Sequence, residues 1–322
     1  AGETENKGID LTINSTNITN KNFTWNTSIT LSHNKNSVKK LTGEDVQLWE
    51  ANFGYSQNTH IIGVNQPLGQ MYGYVTDGLY QVSDFDYDAA TKTYTLKDGV
   101  PYAGEKGNVK PGMWKFKNID GSKDNKITEA DKTVIGNAYP KIYGGINNTF
   151  TYKDFDLSIF LTYSIGNDVF NATKLTNTKT ALQNKNVLAV ADSKHRWVLV
   201  NKAGDLITDP QEMADINKGK TVAAIYDNEA GDTYIHSWAV EDGSFLKLSN
   251  ITLGYTFPKK MIRKVGLSKL RLYATGSNLL TWTKYSGFDP EVSTMGNGLT
   301  PGVDFGAYPR SRAFVFGINL AF

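Results

Sequence analysis

Apolar and polar residues alternate with a period of two over several stretches of this chain, which is the signature of β-strands with two unlike faces. Ile9, Leu11 and Ile13 alternate with Asp10, Thr12 and Asn14. Phe23, Trp25, Thr27, Ile29 and Leu31 share a face, opposite Thr24, Asn26, Ser28, Thr30 and Ser32, with a phase slip expected near Ser28. The polar stretch from Thr19 to Asn22 reads as a hairpin turn between these two strands. A second hairpin is predicted over 142–152 and 155–165, turning at Lys153-Asp154, with Phe155, Leu157, Ile159, Leu161, Tyr163 and Ile165 on one face and Phe160 the exception on the other. Three more strands follow around 251–257, 270–277 and 314–322. The connections are unequal: those after the first, third and fifth strands are short, and those after the second, fourth and sixth run over roughly 35–141, 167–243 and 284–311. Loops of that length are rare in compact soluble domains. Short turns on one side and long loops on the other are the habit of transmembrane β-barrels, whose strands set apolar groups to lipid and polar groups to the lumen. A soluble β-sandwich alternates too and is the competing architecture.

Composition narrows the choice. The 322 residues contain no cysteine, 9 prolines and 30 glycines; aromatics make up 12% and charged residues 20%, with a formal net charge of +2. A disulfide-stapled scaffold is excluded, and so is a disordered chain. No apolar run reaches the length of a membrane-spanning helix. The near-neutral charge offers no general attraction for nucleic acid. The cluster Lys259, Lys260, Arg263, Lys264, Lys269 and Arg271 sits between two strands behind Pro258 and reads as a solvated turn. Aromatics near strand ends, among them Trp25, Tyr152, Phe155, Tyr255, Phe257, Trp282 and Tyr285, suit the interfacial girdles of a barrel. The start, AGETENKGIDL, has neither a basic region nor an apolar core of a signal peptide, so the chain is expected to begin after processing or inside a longer polypeptide.

Candidate chemistry is sparse. Residues 120–131, DGSKDNKITEAD, match a twelve-residue calcium loop. Asp120, Ser122 and Asp124 fall at the first, third and fifth positions, Lys126 offers its carbonyl at the seventh, Thr128 the ninth and Asp131 the twelfth. Asn125 replaces the usual glycine at the turn, a residue that tolerates left-handed backbone. Asp replaces the bidentate Glu at the end. Ca²⁺ is the expected ion, because Mg²⁺ demands near-octahedral geometry. The four histidines, His33, His60, His195 and His236, form no HxH or HExxH pair, and Ser244 lies outside any nucleophile elbow. Ser237 beside His236 is one candidate pair a hydrolase could use, but adjacency in sequence is not geometry, and no enzyme is expected. Asn-x-Ser/Thr triplets at Asn14, Asn17, Asn22, Asn26 and Asn147 follow from Asn/Thr-rich strands. Tyr72, Tyr74, Tyr80, Trp114, Phe116, Trp197 and Trp238 could either stack on ligand or pack the loops.

A set of ordered motifs adds a family. Glu241-Asp242-Gly243-Ser244-Phe245-Leu246, Leu253-Gly254-Tyr255, Leu270-Arg271-Leu272-Tyr273, Gly276-Ser277-Asn278-Leu279, Gly287-Phe288-Asp289-Pro290-Glu291 and Tyr308-Pro309-Arg310 follow one another, and the chain ends in an alternating strand on Phe322. Upstream lie Leu68-Gly69-Gln70-Met71-Tyr72-Gly73-Tyr74 and Ile135-Gly136-Asn137-Ala138-Tyr139-Pro140-Lys141 before Tyr143-Gly144-Gly145. Together these resemble the C-terminal part of the SusC/RagA family of TonB-dependent outer-membrane transporters of Bacteroidota. The resemblance implies an all-β transmembrane antiparallel β-barrel of about 22 strands, of which residues 1–322 would supply about seven C-terminal ones. The plug and the N-terminal strands lie outside this sequence, and 35–141 would be a long extracellular loop region carrying the calcium-like motif. It further implies import of an oligosaccharide or peptide, energy from TonB through the plug, a SusD-like surface lipoprotein as lid, and lipid around the wall. A soluble carbohydrate-binding β-protein is the alternative, and an outer-membrane hydrolase a more distant one.

Overall fold

The computed structural model describes residues 2–51, 57–178, 186–226, 234–294 and 297–322. Seven long strands form one continuous antiparallel sheet in sequence order. They are β1 (Glu3–Thr19), β2 (Phe23–Lys40), β3 (Ile142–Tyr152), β4 (Phe155–Ile165), β5 (Phe245–Thr256), β6 (Lys269–Thr283) and β7 (Ala313–Ala321). β3 and β4 have the bounds that their alternation predicts. β2 runs on to Lys40, so the first long connection starts at 41 rather than 35. Residues 33–40 carry no clean alternation, and they extend as strand because Glu3–Ile9 supply a pairing partner. At 17 and 18 residues, β1 and β2 span roughly 56–60 Å, well beyond the ~30 Å hydrocarbon layer.

The registers place each apolar set on one face. Ile18, Trp25, Phe150, Leu157, Leu253, Ala274 and Phe316 form one row across all seven strands. Ile13, Ile29, Ile146, Leu161, Leu248 and Leu280 form another. Nearer the short turns an aromatic band carries Phe23, Tyr152, Phe155, Tyr255 and Phe257, with the Phe155 and Tyr255 rings 4.7 Å apart and those of Tyr255 and Phe257 4.9 Å apart. The opposite face is polar. Asn26, Thr149, Ser158, Thr252 and Thr275 form a row on it, tied by hydroxyl and amide contacts such as Thr252–Thr275 (2.9 Å) and Ser158 to Asn147 (3.2 Å). Arg271 grips Asp156 with two donors on this face, at 3.0 and 2.5 Å. The phase of β2 is unbroken through Ser28. The irregularity lies in its partner, where Asn17 bulges between Thr16 and Ile18. A second bulge sets Ser249 against Asn278 and Leu279, with Asn278 in the left-handed region (φ 54°).

All three short connections lie at one rim, at 20–22, 153–154 and 257–268. The last holds the basic cluster on a short helical turn, α1 (Lys259–Ile262), whose lysines are exposed. The three long connections lie at the other rim and fold together. A four-stranded sheet orders 132–137, 70–74, 58–63 and 46–50. A three-stranded one puts Asp168–Asn171 between Val240–Asp242 and Val303–Asp304. An aromatic core of Tyr74, Trp114, Phe116 and Trp197 binds the first connection to the second.

Candidate functional site

The 120–131 loop folds around its last carboxylate. Asp131 is fully buried, and its two oxygens accept the N–H groups of Ile119 (2.7 Å), Asp120 (3.2 Å) and Thr128 (2.8 Å). Thr128 caps the 129–131 turn through its hydroxyl, which accepts the Ala130 N–H (3.2 Å). Asn125 adopts the left-handed backbone (φ 56°) expected at the turn. Asp120 and Asp124 are exposed; each accepts the N–H two residues ahead, from Ser122 at 2.8 Å and Lys126 at 3.1 Å. The Lys126 N–H bond holds the Asp124 carboxyl below its usual range. Lys126 continues as a short bridge beside Tyr102. Among the described residues, no three His, Asp or Glu side chains converge closely enough to hold a metal by themselves. The loop's remaining donors, Ser122, the Lys126 carbonyl and Thr128, are neutral oxygens.

The histidines have structural partners. His60 is buried; a carbonyl can only accept, so its Nε2–H donates to Pro301 (3.0 Å) and its Nδ1 faces the Thr59 hydroxyl (2.9 Å). Burial pulls its pKa down to about 4. His33 contacts the Lys141 carbonyl (2.6 Å) and His195 pairs with Asp192 (2.7 Å). His236 and Ser237 both turn to Thr76, at 2.8 and 3.0 Å, instead of to each other, so that sequence pair makes no nucleophile–base arrangement. Ser244 Oγ accepts the Gly166 N–H (2.9 Å).

Of the seven loop aromatics, Tyr74, Tyr80, Trp114, Phe116 and Trp197 are buried in the loop cores. Tyr72 remains half-exposed beside Leu48 and Ile61. Trp238 also remains half-exposed, with the Lys174 ammonium 4.1 Å from its ring centre.

Sequence reasoning missed a charge cluster at the long-loop rim. Lys247 of β5, on the polar face, contacts Glu291 directly and Asp289 at 3.7 Å; Arg310 reaches Asp289 at 3.3 Å and Glu291 at 3.2 Å. Lys247 and Asp289 are buried. This clasp pulls the 284–312 connection inward over the polar face. The motifs around 287–291 and 308–310 were visible in the sequence, but nothing there tied them to Lys247. Close by, Glu241 holds the Ser286 N–H and hydroxyl, both at 2.8 Å, and Lys174 at 3.0 Å. Burial pushes the Glu241 carboxyl up, but these partners outweigh it and leave it below its usual range.

A two-faced antiparallel wall with every long connection at one rim is the build of an outer-membrane barrel segment. No protein-family model matches the chain. It is 33% identical to TonB-dependent receptor P3 and 30% identical to TonB-dependent receptor P39, both of Formosa agariphila, and 27% identical to TonB-dependent receptor SusC of Bacteroides thetaiotaomicron. Each match covers the whole chain and 29%, 30% and 27% of the relative, so the chain spans less than a third of the length of these proteins. The RagAB peptide transporter shares the fold over the whole chain and 30% of its own (TM-score 0.66, 22% identity), as does the RagAB peptide importer in its "open-open" state (TM-score 0.65, 20% identity). The chain belongs to the SusC/RagA family of TonB-dependent receptors. The relatives named here are receptors, and none of them is named as an enzyme.

Proposed function

We propose that residues 1–322 form about seven neighbouring strands and the outer loops of a ~22-strand barrel in the bacterial outer membrane. The barrel imports an oligosaccharide or a peptide, driven by TonB through a plug and capped by a SusD-like lipoprotein. The observation that carries this reading is the pairing of a continuous apolar face with a continuous polar one beneath loops gathered at a single rim. The names of the relatives support it. β1 and β7 leave Ile9, Leu11, Ile13, Phe314, Phe316 and Ile318 exposed; in lipid, their free edges require further strands beyond this chain. The full receptor is expected to need detergent for extraction and to migrate faster on gels unboiled than boiled. A freely soluble monomer without detergent would overturn the proposal. Ca²⁺ is proposed for the 120–131 loop, with Asp120, Ser122, Asp124, the Lys126 carbonyl and Thr128 as ligands; Asp131, expected at the twelfth position, is committed to the Ile119, Asp120 and Thr128 N–H groups and is not among them. Calorimetric titration after chelation is expected to show binding that Asp124→Ala removes, and no heat with the unaltered loop rejects it.

A further inference from the structure

The clasped connection roofs a cavity of about 460 Å³ on the polar face of the wall. Tyr143 of β3 and Phe245 of β5 line it, with Asn167, Asp168 and, from the clasped connection, Pro290 and Glu291. The charges there do not balance. Glu291 is met by both Lys247 and Arg310. Asp168 accepts the Asn137 N–H (2.8 Å), and among the described residues it makes no salt bridge. Its cross-strand neighbour is Asp242, another carboxylate. Burial above all, and then Asp242, pushes the Asp168 carboxyl up, against the Asn137 N–H and the more distant Lys141. Asn167 next to it is buried and receives the Ser164 hydroxyl (2.8 Å). The cavity therefore presents one half-buried, uncompensated carboxylate among aromatic and proline faces.

We propose that this cavity is a subsite for a primary ammonium group on the imported molecule, held by Asp168 and flanked by the Tyr143 and Phe245 rings. An ammonium supplies the missing countercharge, makes charge-assisted hydrogen bonds to the carboxylate and is attracted by ring faces. A neutral donor can still hydrogen-bond the carboxylate, but it supplies no countercharge and is drawn less to the ring faces. The ammonium comes from a peptide amino terminus or a lysine side chain, and both present the same chemistry. The proposal rests on the import reading, which places the polar face along the path of the cargo.

The test is calorimetry on the full-length receptor in detergent with three probes: trialanine, N-acetyl-trialanine, and Ala-Lys-Ala blocked at both ends. A free amine is expected to bind about tenfold more tightly than N-acetyl-trialanine, which has none, the scale of one charge-assisted bond. Binding of trialanine alone assigns an amino terminus; binding of the blocked lysine peptide alone assigns a side chain. Asp168→Asn keeps an acceptor for the Asn137 N–H and should abolish the preference, while Tyr143→Leu should weaken amine binding and leave the unboiled gel migration intact. Equal binding of blocked and free probes, or a preference that survives Asp168→Asn, overturns the subsite. Uptake of the two amine-bearing peptides, trialanine and the blocked lysine peptide, by cells separates the two readings. Uptake without dependence on Asp168 sinks only the subsite, and absence of uptake for every cargo sinks the import reading.

Discussion

At the scale of the residue, Asp131 and His60 show how buried polar groups hold these loops. Asp131 supplies both oxygens to backbone N–H groups at the two ends of the 119–131 loop, so Asp131→Ala orphans donors at once. Loss of roughly 3 kcal/mol of local stability is expected, read as faster amide exchange over 118–131, with the wall strands unchanged. His60 gives a pH signature. It is buried neutral with a pKa near 4, whereas an unfolded histidine takes its proton near 6.5. Stability from this site is thus full above about pH 6.5, falls as the pH drops through the window and is lost by about pH 4, a total of roughly 3 kcal/mol. Exchange protection at 58–63 should fall between pH 7 and pH 5. In His60→Gln, which has no proton to take up, it should stay flat.

At the scale of the element, the sequence motifs find their meaning in pairs. Leu68-Gly69 and Asn137-Ala138-Tyr139 meet: the Ala138 N–H reaches the Gly69 carbonyl (3.0 Å), the Asn137 amide reaches Leu68 (3.2 Å), and the Tyr139 ring lies where a Gly69 side chain would be. Gly69 also has positive φ (79°), so Gly69→Ala is opposed twice. On the wall, Tyr163 lies across Gly144 to donate to the Thr30 carbonyl (2.9 Å), and Tyr273 covers Gly317. The clasp is the third pairing. Lys247→Met should leave Asp289 and Glu291 with Arg310 alone and loosen the 284–312 connection by about 3–5 kcal/mol, the scale for removing one partner of a buried ion pair. Limited proteolysis would report it as cleavage within 284–294. Adding Asp289→Leu should restore part of the protection, because the second change removes the stranded charge.

At the scale of the whole molecule, the wall has two edges that water tolerates poorly and lipid not at all. The chain expressed alone is expected to aggregate or to require detergent, and to show no heat-modifiable migration, because β1 and β7 have no partners to complete a barrel. A stable monomeric sheet in buffer would contradict that. The wall was legible in the sequence because each side chain position in a strand declares its face, and the bounds of β3 and β4 could be read from that alternation. Residues 33–40 were not legible, since their strand depends on a partner thirty residues away. Nor were the loop cores: packing was the favoured reading of Tyr74, Trp114 and Phe116, but what they pack against in the second connection was not visible in the sequence.

The sequence by itself determined the two-faced strands, their order, the division into short and long connections, and the family, because these are written in periodicity, spacing and local motifs. Only the tertiary structure decided that Asp131 is spent on backbone, that Ser237 and His236 turn to Thr76, that Lys247 clasps Asp289 and Glu291, and that Asp168 is left unbalanced in a cavity. Those outcomes depend on groups from far along the chain meeting with particular charges and hydrogen-bonding needs, and no local pattern encodes such meetings.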